Sequence, residues 1–268
     1  MKKYRFLIIR RVFQITIMAI FIFCNYYSFH FFEGNLSSSK VFYIIPMSDP
    51  LSMAQIFLAG GIIGSEAIIG LIIVLLIYGI LFGRGYCAFV CPINIITDFA
   101  ALLRKIFSIN IQKKLNINRN TKYSILLLSL ILSFIFGVAA FELISPISIL
   151  HRGIIFGMGF GIFAVISVFL LDLFIIKNGF CGYICPLGAS YGLIGKYSLL
   201  RIKHNKTKCT KCAKCILICP EPQVLDLIGI RSGTINKIDC IKCGRCIEVC
   251  NDNALQYGIF DFNKENKK

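Results

Sequence analysis

The chain has 268 residues; 57% are hydrophobic, only 16% are charged, and the formal net charge is +16. A soluble domain carries about 25% charged residues, so this balance, with a mean hydropathy of +0.76, excludes an ordinary soluble globule and points to a membrane protein with a modest soluble part. The basic excess could suit nucleic acid, but the basic residues stand beside apolar stretches, where the positive-inside rule places them, so no nucleic-acid partner is expected.

Lys2, Lys3, Arg5, Arg10 and Arg11 make a basic start. Val12 to Phe32 follows without a formal charge and is long enough to cross a bilayer. Bulky aromatics, not small residues, end it, so a retained helix is expected rather than a cleaved signal. Cys24 inside it reads as a small hydrophobe. A mixed connection with Pro46 and Pro50 leads to a second apolar span, Gly60 to Phe82, broken only by Glu66. Gly83-Arg84-Gly85-Tyr86 closes it and Cys87-Ala-Phe-Val-Cys91-Pro92 follows. A basic stretch then leads to a third span, Tyr123 to Phe141. After the turn around Pro146, a fourth runs from Gly153 to Ile176 with Asp172 near its end. Phe180-Cys181-Gly-Tyr-Ile-Cys185-Pro186 comes next.

Counting Lys and Arg orients these spans. Residues 1–11 hold 5, residues 83–122 hold 7 and residues 177–268 hold 15, whereas each remaining loop holds one, Lys40 or Arg152. The expectation is four spans in a bacterial inner membrane, with both termini cytoplasmic. Thiols are kept reduced in that compartment, so twelve of the 13 cysteines, all but Cys24, read as metal ligands rather than disulfides.

The apolar part is duplicated. Pro50-Leu-Ser-Met and Pro146-Ile-Ser-Ile each precede a C-x3-C-P element, by 37 residues to Cys87 and by 35 to Cys181. Internal symmetry in a membrane protein places a site at the repeat interface. Cysteines four apart on a helix face the same way. Cys87, Cys91, Cys181 and Cys185 could therefore hold a third cluster, act as redox thiols, or dock a partner; the spacing does not choose.

The C-terminal part carries the sharpest signal. Cys209, Cys212, Cys215 and Cys219 form one C-x2-C-x2-C-x3-C-P run, and Cys240, Cys243, Cys246 and Cys250 form a second, with Asn251 in place of proline. This is the bacterial ferredoxin spacing, in which the fourth cysteine of each run ligates the other run's cluster. Cys209, Cys212, Cys215 and Cys250 are expected around one [4Fe–4S] cluster, and Cys240, Cys243, Cys246 and Cys219 around the other. Zinc needs four ligands and has no use for two interlocked runs. The expected layout is a transmembrane domain over 1–186, a basic linker over 187–208 and a double-cluster module over 209–268. In fold class this is an α-helical polytopic membrane protein, two repeated hairpins in four helices, with an α+β ferredoxin-like module.

Ionisable residues near apolar spans are functional candidates by default. Glu66, His30 and His151 are the candidates for a site that takes protons from a quinol, with Glu33, Glu142 and Arg152 at the same level. Anchoring of helix ends is the plainer role for any of them. No C-x-x-C-H, P-loop or dinucleotide fingerprint occurs, which leaves iron–sulfur clusters as the directly supported cofactors.

Basic inner loops, two C-x3-C-P elements after the second and fourth spans, and a terminal double-cluster run together resemble the NapH family along essentially the whole chain. Those proteins are ferredoxin-type membrane quinol dehydrogenase subunits of periplasmic nitrate reduction. The resemblance implies oxidation of menaquinol or ubiquinol from the membrane pool, with electrons passed to a partner iron–sulfur protein. Related membrane cores occur in nitrous oxide reduction, methylamine utilisation and cytochrome oxidase assembly. The alternative expectation is therefore a redox factor that matures a respiratory metalloenzyme.

Overall fold

The computed structural model describes residues 4–27, 32–34, 37–42, 44–107, 118–156 and 159–259. In chain order they form α1 (Arg5–Tyr26), β1 (Phe32–Gly34), β2 (Ser38–Val41), β3 (Ile45–Ser48), α2 (Pro50–Leu58) and α3 (Ser65–Leu75). α3 runs on through a π turn, Leu76–Phe82, and a 3-10 turn, Gly83–Gly85, into α4 (Tyr86–Phe89). Then come α5 (Ile93–Ile106), α6 (Thr121–Phe136), α7 (Ala140–Ile144), α8 (Pro146–Phe156) and α9 (Ile162–Leu170). α10 (Pro186–Ile194), β4 (Leu200–His204), α11 (Lys214–Ile218), β5 (Gly233–Thr234), α12 (Arg245–Glu248) and β6 (Leu255–Ile259) complete the order.

Among the described residues, two helical stretches are long and apolar enough to cross a membrane, Arg5–Tyr26 with 22 residues and Ser65–Phe89 with 25. The third and fourth apolar segments make shorter helices than their composition suggests. α6 stops at Phe136 because Gly137 takes a left-handed φ of 63° and its N–H caps Ser133, a common helix stop. The Ser133 hydroxyl also accepts from Ala140 N–H at 3.2 Å. The fourth segment is divided. α8 begins at Pro146, a 3-10 turn occupies Gly159–Gly161, and α9 passes into a π turn at Leu171–Ile175. Glycine weakens helix propagation, and this stretch contains Gly153, Gly157, Gly159 and Gly161.

The chain divides into two compact units. The first comprises Met1–Phe13, Leu76–Val90 and Tyr191–Lys268. Its sheet is antiparallel in the order β5-β4-β6, with Ile202 opposite Tyr257 and His204 opposite Leu255. Ile202, Val224, Leu225, Ile235 and Leu255 form its core together with Cys215, Cys240 and Cys246. The stretch expected as a linker, 187–208, therefore contains α10 and the central strand β4. Arg201 hides this strand in the sequence. It looks like part of a charged linker, yet it is buried, and its Nε donates to Ser198 O at 3.0 Å.

The same unit ties the C-terminal end of the long α3–α4 helix to the sheet. Leu199 N–H donates to Ile80 O at 2.6 Å. Gly83 sits at φ +52°, where a Cβ would strike Lys242 Nζ and Ser198 Oγ, so both its conformation and its space require glycine. The rings of Tyr86 and Tyr191 stack 4.7 Å apart, and Tyr78 meets both edge-on. At the start of α1, Phe6 and Leu7 N–H groups both donate to the Glu248 carboxylate, an acidic cap on orphan helix donors.

The second unit comprises Gln14–Leu75 and Cys91–Ser190. β1, β2 and β3 form an antiparallel sheet, and a Cβ at Gly70 of α3 would press on the β3 backbone at Pro46 and Met47. Asp49 caps α2 by accepting from Ser52 N–H at 3.0 Å. Glu142 on α7 accepts from Ser37 at 2.7 Å, from Ser52 of α2 at 3.2 Å and from Ser148 of α8 at 2.9 Å.

Candidate cysteine-lined redox site

Two concave sites lie in the first unit. One is lined by Cys219, Cys240, Cys243 and Cys246, the other by Cys209, Cys212, Cys215 and Cys250. The structure thus gathers three cysteines of each run with the fourth cysteine of the other. The local reason is visible on both sides. α11 and α12 begin just before the third cysteine of each run and carry Cys219 and Cys250 away from their own loops.

The loops also share a backbone shape. Lys211 and Ala213 in the first run have φ of 56° and 57°; Lys242 and Gly244, at the same places in the second, have φ of 55° and 76°. Left-handed residues between right-handed ones turn successive N–H groups into a concave nest that favours an anionic guest. A non-glycine residue there costs of order 1–3 kcal/mol, so three such residues mark loops shaped for something they surround. The chemistry of the donors agrees. Burial pushes the Cys219 thiol up to about 12 and the Cys240 thiol up to about 11, and it raises Cys215 and Cys246 as well. Buried thiols of this kind stay protonated unless a metal takes the sulfur, since a coordinating thiol is deprotonated outright. The cysteine sets, the nests and the raised thiols fit [4Fe–4S] clusters.

Arg84 lies behind the Cys219–Cys246 site. It is almost wholly buried, with its guanidinium 3.6 Å from Glu221 and 3.7 Å from Asp239, and it donates to Asp239 O at 2.9 Å. Glu221 follows Cys219-Pro220, and Asp239 precedes Cys240. One arginine at the end of the α3 helix thus fixes the flanks of two candidate ligands. Ala88 packs against Ile241 and Cys243, with Cys87 and Phe89 beside it. In the sequence Arg84 stands out only as part of a glycine motif, Gly83-Arg84-Gly85. Its signal, a lone charge between two glycines at the end of an apolar span, is legible only once its partners are known.

Comparison with known proteins supports the same chemistry. A 4Fe-4S dicluster domain matches residues 201–257, and a 4Fe-4S binding domain matches residues 64–110 and 156–207. The ferredoxin-type protein NapH of Haemophilus influenzae is 39% identical over 82% of this chain and 77% of its own length. NapH of Escherichia coli is 34% identical over 84% and 78%. The methylamine utilization ferredoxin-type protein MauN of Methylorubrum extorquens is 38% identical over 81% and 75%. The chain belongs to the NapH family. No solved structure matches it.

The two segments of the 4Fe-4S binding match each contain one C-x3-C-P element of this NapH-family chain. The first cysteine of each pair, Cys87 or Cys181, is half-buried, and the second, Cys91 or Cys185, is buried. The pairs do not share one helical face, as their spacing suggests. α4 ends at Phe89, before Cys91, and Cys185 is extended at φ −65°, ψ 109°. The cause is the next residue, because proline pushes its predecessor out of the helical region. Each second cysteine is held from outside its own element. Gln14 Nε2 donates to Cys91 O at 3.2 Å, and Gly188 N–H points at Cys185 Sγ at 3.4 Å. Asp172 is buried. Its carboxylate accepts from Phe180 N–H at 3.0 Å, and Arg104 donates to its carbonyl at 3.0 Å.

Of the candidates for quinol chemistry, His151 is completely buried on α8, with its ring edge-on to Phe21 at 4.8 Å. Glu66 opens α3 in an ion pair with Lys40 at 2.6 Å, and its side chain is 68% exposed within the chain. Glu142 also pairs with Arg152 at 3.3 Å. His30 lies outside the described residues, as does the side chain of Glu33.

Proposed function

We propose that this NapH-family protein is a membrane-bound electron-transfer subunit that oxidises membrane quinol, menaquinol or ubiquinol, and hands the electrons to a partner iron–sulfur protein. The observation that carries the proposal is the packing of Ala88, at the end of the α3–α4 helix, on Ile241 and Cys243 of a cluster loop. A membrane helix that ends on a cluster ligand gives electrons a route between the bilayer and the module. Two clusters are proposed, one for each four-cysteine site. When bound, each supplies a one-electron redox step; the two together match the two electrons a quinol releases. The residues of the chain supply the rest. Eight thiolates would hold the iron, Arg84 fixes the flanks of Cys219 and Cys240, and Tyr78, Tyr86 and Tyr191 pack on one another at the residue before Cys87.

Four spans and a cytoplasmic module form part of the same proposal. Two lines support it: the Lys and Arg asymmetry, and the fact that the start of α1 and the end of α3–α4 both bind the module. Of the quinol candidates, His151 is favoured, because it is enclosed by the chain whereas Glu66 already has a partner in Lys40.

The test is reduction by substrate. Anaerobic protein in lipid nanodiscs, titrated with a short-chain menaquinol, is expected to bleach in the visible and to develop a reduced-cluster electron paramagnetic resonance signal. Clusters that accept electrons from dithionite but never from quinol, with or without the partner, would rule the proposal out in favour of a maturation role.

A further inference from the structure

The two membrane repeats place different polar side chains at one equivalent position. Pro50-Leu-Ser52-Met-Ala-Gln55 corresponds to Pro146-Ile-Ser148-Ile-Leu-His151. Each proline opens a helix, α2 or α8. The two serines donate to the two oxygens of one carboxylate, Ser52 to Oε2 and Ser148 to Oε1 of Glu142. The first turns of both helices therefore converge on α7. Residues three apart share a helix face, so Gln55 and His151 sit one turn further along the faces that their serines present to Glu142.

Both side chains are fully buried. Among the described residues, neither Nε2 nor Oε1 of Gln55, and neither ring nitrogen of His151, has a hydrogen-bond partner. A buried polar atom left unbonded is costly, and native interiors rarely tolerate it. Here four such atoms stand at two positions related by the repeat. Phe21 packs edge-on against the His151 ring. A guest for these atoms must bring polar groups of its own, and a flat ring suits the aromatic wall that Phe21 provides.

We infer that Gln55 and His151 form a two-point polar clamp for the quinol headgroup. This rests on the quinol reading above and adds Gln55 and the repeat axis to it. A neutral imidazole nitrogen of His151 accepts from one quinol hydroxyl. The Gln55 carboxamide serves the other oxygen in both oxidation states, since it accepts from a hydroxyl and donates to a carbonyl. His151 takes the first of the two quinol protons; the second leaves to solvent from the oxygen that Gln55 holds, as the two electrons pass one to each proposed cluster.

The probe is a hydroxyquinoline N-oxide, a fluorescent quinol analogue, titrated into the full chain in nanodiscs. Gln55→Leu and His151→Leu are each expected to raise its dissociation constant about tenfold or more, the effect of losing one good hydrogen bond. Iron content and the dithionite-reduced cluster spectrum should not change, and the thermal midpoint should hold or rise, since each change removes unbonded buried atoms. Should leucine disturb folding, Gln55→Asn and His151→Gln provide the same comparison with smaller losses. Wild-type affinity in all of these variants overturns the clamp and shows that waters satisfy the four atoms. If wild type binds no analogue and accepts no electrons from menaquinol, the quinol reading falls and the clamp with it. Reduction by menaquinol that survives in every variant removes the clamp alone.

Discussion

The Arg84 guanidinium lies 3.6 Å from the Glu221 carboxylate, and both side chains are almost fully buried. Removing one partner of such a pair strands the other charge and costs about 3–5 kcal/mol. Arg84→Ala is therefore expected to lower the thermal midpoint sharply and to loosen Cys219 and Cys240, the proposed ligands beside Glu221 and Asp239. Arg84→Lys keeps the charge but loses the planar fork, and should fall between the two. The checks are thermal denaturation and iron content after dilution into chelator. Wild-type chelator resistance in Arg84→Ala would show that the module holds its clusters without this clamp.

The exchanged fourth cysteines make a second expectation. Cys219 lines the site of Cys240, Cys243 and Cys246, and Cys250 lines the site of Cys209, Cys212 and Cys215. A Cys219→Ser/Cys240→Ser double variant should lose one cluster, about four iron atoms per chain. Cys219→Ser/Cys209→Ser, in which both changes lie in one sequence run, should lose both clusters, about eight. Iron analysis with reduced-state electron paramagnetic resonance distinguishes the pairs. The reverse pattern would mean that each run serves its own cluster.

The backbone of the two loops leads to an asymmetric expectation. Ala213 and Gly244 occupy the same left-handed place, at φ 57° and 76°. Ala213→Gly relieves strain of about 1 kcal/mol and should leave cluster content intact. Gly244→Ala adds that strain, and its Cβ would also strike Phe6 and the Tyr257 hydroxyl. It should weaken both the Cys240 loop and the docking of α1 on Glu248. Thermal midpoints of the two variants should move in opposite directions, and cluster absorbance should fall in Gly244→Ala alone.

Much of this site is readable as sequence because ligand spacing is a local property. Two C-x2-C-x2-C-x3-C runs imply two loops and an exchanged fourth cysteine whatever surrounds them. Helices in apolar stretches are similarly legible, yet their lengths are not. Gly137 ends α6 through a left-handed cap, and the glycines from 153 to 161 accompany the division of the fourth stretch. β4 escapes notice because Arg201 and Lys203 resemble linker charges, while burial of Arg201 depends on Ser198 and on pairing with β6. The C-x3-C-P pairs mislead for a physical reason. Four-residue spacing implies one face only inside a continuous helix, and Pro92 and Pro186 break that continuity. Arg84, Glu142 and Gln55 gain their meaning from partners or equivalents far away in the chain, which no local pattern displays.

Glu142 joins α7 to both repeats, and its loss should be felt in both. It accepts from Ser37, Ser52 and Ser148 and pairs with Arg152, which is half-exposed. Hydrogen bonds to a charged group contribute about 1.5–3 kcal/mol each, whereas the exposed Arg152 pair adds at most about 1 kcal/mol. Glu142→Ala should then destabilise the second unit by several kcal/mol through its serines. Arg152→Ala should cost little. Ser52→Ala and Ser148→Ala should each cost about 1–2 kcal/mol, and in the Glu142→Ala background almost nothing, because the partner is already gone. Thermal denaturation of the six proteins in nanodiscs measures these couplings. Fully additive losses would mean that the carboxylate does not bridge α2 and α8, and the two helices would then owe their placement to apolar packing alone.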